Sequence, residues 1–134
     1  MTARFTIAVS PGELFDKLTV LEIKAERMTD PGKLAHVNAE LKELCRFNGS
    51  YDSLAALQDN EKLDSLVREL KAINVILWDL HNAVRRDIIN NRTSNLILVD
   101  VGGIHSYNDK RHAIKRRINE LLGSEFVEEK EYVK

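Results

Sequence analysis

Through most of this chain apolar residues recur at alternating steps of four and three, the spacing of one helical face. Leu14, Leu18, Leu21, Ala25 and Met28 form the first such stripe. It opens with Ser10-Pro11-Gly12-Glu13: a capping serine, a proline suited to the first helical position, and a glutamate three after the cap, as in a capping box. Thr29-Asp30-Pro31-Gly32 stops this helix and starts another, with Asp30 as its cap. The second stripe, Leu34, Val37, Leu41, Leu44 and Cys45, closes at Asn48-Gly49. A short helical turn is expected around Leu54 and Leu57. From about Asn60 to Asn90, Leu63, Leu66, Leu70, Ile73, Leu77, Leu80, Val84 and Ile88 keep one face with no Gly or Pro between them, which suits a helical bundle.

Leu96 to Val101 reads two ways, as a buried strand or as the start of a helix, and its β-branched residues lean towards strand. Gly102-Gly103 is expected to break whatever precedes it. A last helix then runs from about Tyr107 to Leu122, with Tyr107, Ile114, Ile118 and Leu121 on its stripe and Gly123 at its end. The expected fold is mainly α, a bundle of about four helices forming one domain over 1–134. A small strand pair from the alternating RFTIAV segment and residues 96–101 is an optional addition.

Projection at about 100° per residue exposes polar misfits. Asn74, His81 and Arg85 fall inside the apolar sector of the long helix, with Trp78 at its edge. On the first helix Glu22 projects between Leu18 and Phe15. On the last, Arg111 projects between Tyr107 and Leu122, flanked by Asn108 and Lys115. A buried charge is costly unless paired, so these groups should find each other: Glu22 with Arg111 or Arg85, and Asn74 with His81. Such a set is either a network that fixes helix register or the wall of a ligand pocket.

Composition narrows the function. Twenty Lys/Arg against 21 Asp/Glu leave a net charge of −1, so no global field favours nucleic acid or an anionic membrane. The basic run Lys110, Arg111, His112, Lys115, Arg116 and Arg117 is followed at once by Glu125, Glu128, Glu129 and Glu131, and lacks interleaved aromatics, which argues against nucleic acid. No membrane span and no signal peptide are evident, and a single cysteine, Cys45, fits a reducing compartment, so a cytoplasmic location is expected. Cys45 lies on a core stripe and reads as a small hydrophobe. Glu13, Asp16, Glu40 and Glu43 are carboxylates at the spacing of a metal-dependent nucleotide pyrophosphohydrolase. Glu13 has a rival role in capping, and Glu40 and Glu43 read as a solvated face.

Three blocks, SPGELFDKLTVLEIKAERMTDPGKLAHVNAEL at 10–41, LWDLHNAVRR at 77–86 and NDKRHAIKRRINELLGSEFVEEKEY at 108–132, resemble a family of small helical bacterial and phage proteins of unknown function. That family is often found near genes for surface-polysaccharide synthesis. Its pattern is matched at Glu13, Asp16, Lys17, Glu22, Trp78, Asp79, Asn108, Asp109, Arg111, Lys115, Arg116 and Asn119. It is departed from at His81 and Asn82, where the family carries acidic residues, and at Gly102-Gly103, where it carries uninterrupted helix. The resemblance implies a compact cytosolic helical domain and brings no catalytic residue.

The leading expectation is a small anionic ligand, phosphosugar or nucleotide-sugar in type, held between helices by Glu22, Trp78, His81, Arg85, Arg111 and Lys115. Arg and Lys would take the anion and Trp78 would stack on a sugar or base. No cofactor or metal is called for. The alternative is an interaction module, a helical homo-oligomer or adaptor whose polar network is structural. The metal-dependent pyrophosphohydrolase is a further alternative.

Overall fold

In the computed structural model, residues 3–45, 60–91, 95–127 and 129–131 are described. They form four helices: α1 (Pro11–Arg27), α2 (Pro31–Cys45), α3 (Glu61–Ile89) and α4 (Asn95–Leu121). The mainly α bundle is as expected. The turn expected around Leu54 and Leu57, and the stop at Asn48-Gly49, lie outside the described residues.

The helix starts follow the capping chemistry. Ser10 Oγ accepts from the Glu13 amide, Asp30 Oδ1 from the amides of Gly32 and Lys33, and Asn60 Oδ1 from that of Leu63. The Glu13 carboxylate also reaches across to α4, where it accepts from Lys115. At the far end Gly123 takes the left-handed conformation that stops α4, and the Ser124 amide closes back on the Asn119 carbonyl.

α3 and α4 pair as a long antiparallel hairpin, with Glu69 facing Arg117 and Leu80 beside Gly103. Their core is Leu63, Leu66 and Leu70 against Ile114 and Ile118, with Phe15 of α1 packed onto it. α1 lies antiparallel to α4 in the groove between the two, and α2 folds back on α1, tied by Lys17–Glu40.

Three expectations are corrected. α4 begins at Asn95, about three turns before Tyr107, and runs through Gly102-Gly103. Each glycine costs about 1 kcal/mol in a helix, but packing along α3 outweighs this, and Gly103 lets the backbone approach Leu80 closely. The optional strand pair does not form: residues 96–101 are helical, and 3–10 form no strand. Cys45 is exposed rather than in the core, because α2 packs chiefly on α1 and buries only Val37 fully.

Candidate functional site

The inward face of α1 is not its leucine stripe. Gly12, Asp16, Thr19 and Ile23 are all buried, and they follow each other at the same four-three-four spacing on the opposite side of the helix. This side meets α3 and α4. Gly12 marks the closest approach: its amide donates to Asn119 Oδ1 at 2.7 Å, and a methyl group there would lie 2.5 Å from the Lys115 carbonyl oxygen.

One turn on, Asp16 is only 7% exposed and receives charge and hydrogen bonds from two helices. Asn74 Nδ2 donates to Asp16 Oδ1 at 2.9 Å and to Thr19 Oγ1 at 3.0 Å, while the Thr19 hydroxyl donates to the Asp16 carbonyl. Lys115 Nζ and Arg111 Nε lie 3.6 and 3.8 Å from Asp16 Oδ2, and Lys115 also donates to Glu13 Oε2 at 2.8 Å. Two cations thus face two carboxylates in a cluster whose centre is covered. This arrangement meets the requirement that buried charge be paired and hydrogen-bonded. Beside it, Asn119 Nδ2 is buried with no acceptor among the described residues.

The six residues expected to line one pocket do not converge. Lys115 and Arg111 belong to the Asp16 cluster. Glu22 is half-buried and accepts from Lys71 at 3.2 Å instead of meeting Arg111 or Arg85. Glu26 accepts from the same ammonium at 2.6 Å. The Glu26 carboxylate is the main cause of a raised Lys71 pKa; burial opposes it, and Glu22 adds to the rise. Trp78 is half-buried, and His81 and Arg85 are exposed. Asn74 is buried as projected, yet its partner is Asp16 rather than His81. The reason is that α1 ends too early to cover the rest of α3: Arg27 Nη1 grips Asp79 at 2.6 Å, and among the described residues no helix covers His81 and Arg85 beyond it.

The four carboxylates of the hydrolase reading are divided among ion pairs with cations, and only Glu13 and Asp16 share one. Glu13 and Asp16 face Lys115, Glu40 faces Lys17, and Glu43 faces Arg4. Among the described residues no three His, Cys, Asp or Glu side chains come together as a metal site. Of the basic run of α4, Arg111 and Lys115 turn to Asp16, while Lys110, Arg116 and Arg117 stay exposed, with Arg116 near Glu120, Arg117 near Glu69 and Lys110 over the Tyr107 ring at 4.6 Å. No helix among the described residues is long and apolar enough to cross a membrane.

A second feature lies at the end of the α3–α4 hairpin beyond α1. There Ile88, Ile89, Leu98 and Val99 are between 64% and 71% exposed. Behind them, Leu80, Val84, Ile97, Val101 and Ile104 are only half-buried, in the seam between the helices.

The chain matches no protein-family model, and neither a curated protein nor a solved structure gives a match. The resemblance to small bacterial and phage proteins therefore stands on its motifs alone.

Proposed function

We propose that this chain is a helical interaction module, which presents the end of its α3–α4 hairpin to a protein partner. The observation that carries this reading is the group of four large aliphatic side chains, each about two-thirds exposed, at that one end. Single exposed aliphatics are ordinary, but four at one end of a helical hairpin favour a surface that another molecule covers. The polar cluster supports the same reading. Its cations are paired with Asp16 and Glu13, so it serves to hold α1 in register in the hairpin groove and offers little to an incoming anion.

A photo-crosslinking amino acid at Leu98, introduced in the producing cell, tests this. A crosslinked adduct is expected at 98, absent with the crosslinker at exposed Arg68 and lost when Ile88→Arg is added. Equal yields at 98 and 68 would overturn the proposal.

A further inference from the structure

We propose that the segment before α1, residues 4–9, is a strand given to a partner: it docks on the open edge of a β-sheet in another protein.

The folded chain makes little use of this segment. Residues 3–9 are all exposed, and among the described residues none of their backbone N–H or C=O groups is hydrogen-bonded. Arg4 Nη1 pairs with Glu43 of α2 at 3.0 Å, but both side chains are well solvated and such a pair holds only weakly. Phe5 and Ile7 are 90% and 76% exposed, the highest values among the described large hydrophobics, and Val9 is 45% exposed. These three alternate with Arg4, Thr6 and Ala8, so in a strand they line one face. Aromatic and β-branched residues favour that conformation, and no Gly or Pro interrupts 4–9.

The partner must satisfy side chains and backbone together. A helix lying in a groove would need apolar residues at steps of three and four, and α1 begins only after its Ser10 cap. A lipid surface covers apolar side chains but offers nothing to backbone N–H and C=O groups. The described residues of this chain form no strand, so it supplies no sheet of its own. Two such segments from two copies would make a two-stranded ribbon, which is marginal in water. An open sheet edge meets both needs. Its unpaired main chain completes the ladder, and its apolar face extends under Phe5, Ile7 and Val9. Residues 4–9 span about 20 Å when extended, the length of an ordinary strand.

The test places a photo-crosslinking amino acid singly at each position from 4 to 9 of the full chain, in the producing cell. Adducts with one and the same protein are expected at 5, 7 and 9, with yields several-fold above those at 4, 6 and 8. With the crosslinker at 5, Thr6→Pro together with Ile7→Pro should cut the yield roughly tenfold or more. Successive amides of a strand face opposite edges, so this pair removes a ladder donor whichever edge is used. Thr6→Ala with Ile7→Ala, which trims the same side chains and keeps both amides, should cut it far less. Both pairs should keep the wild-type Tm, since the folded chain bonds through neither amide. Equal yields at all six positions, adducts only with a second copy, proline and alanine pairs that behave alike, or no adduct at all overturns the inference. So does a chain that gives no protein adduct and instead sediments with phosphatidylcholine–phosphatidylglycerol vesicles through this segment. The Leu98 crosslink is read separately, so failure here leaves the role of the hairpin end standing.

Discussion

At Gly12, α1 and α4 are nearly in backbone contact, and this single residue sets how deeply Asp16 enters the groove. Gly12→Ala gains up to about 1 kcal/mol in helix propensity. It also places a methyl 2.5 Å from a carbonyl oxygen that cannot swing away. A net loss of about 1–3 kcal/mol is expected in urea unfolding, as for an overpacked core. Asp16→Leu, which leaves the Lys115 charge beside a hydrocarbon, should cost about 3–5 kcal/mol, and adding Lys115→Met should recover much of that. Glu22→Gln should cost under about 1 kcal/mol, because Glu22 and Lys71 are partly in water. If Glu22→Gln proved the costlier change, Glu22 rather than Asp16 would be the carboxylate that α1 turns into the groove. The hydropathy pattern shows that polar groups turn inward, and it places Asn74, Arg111 and Lys115 correctly on the inner side. It misses Asp16 because the inner stripe of α1 is Gly-Asp-Thr-Ile. Hydropathy points to the leucines on the opposite side of the helix. Four-three-four spacing of small and polar residues is the signal that could have found it.

The element scale shows where local preference loses to packing. α1 and α3 begin where their caps stand, since capping is chemistry between neighbours. α4 defies its glycines and β-branched residues because 27 residues lying along a partner helix gain more than two glycines lose. Gly102 has no atom within 4 Å of a built Cβ, so Gly102→Ala should stabilise by up to about 1 kcal/mol and raise Tm by roughly 3 °C. No gain would mean that the helix begins only after the glycine pair. The clamp between α1 and α3 adds a pH dependence. Lys71 has a folded pKa above 10.5 because Glu26 and Glu22 favour its charged form. A raised pKa contributes stability that is fully present below the unfolded value and is lost as pH rises through the folded one. The stability difference between wild type and Lys71→Met should therefore hold steady from neutral pH to near pH 10 and shrink above about pH 10.5.

Over the whole molecule, stability should be graded from one end to the other. The buried cluster Leu63, Leu66, Leu70, Ile114 and Ile118 lies at the end where α1 starts, and the Asp16 cluster lies beside it. Beyond Asp79 the hairpin has only half-buried side chains in its seam and carries two glycines, Gly102 and Gly103. Regions with few buried contacts open locally at a fraction of the global free energy. Native-state hydrogen exchange should therefore find amides of residues 66–77 and 111–118 exchanging only by global unfolding. Amides of 82–88 and 98–104 should exchange by a smaller opening, a few kcal/mol less costly. A hairpin end that is well protected at high dilution would mean that the single chain already stabilises it, and that its exposed aliphatics need no partner.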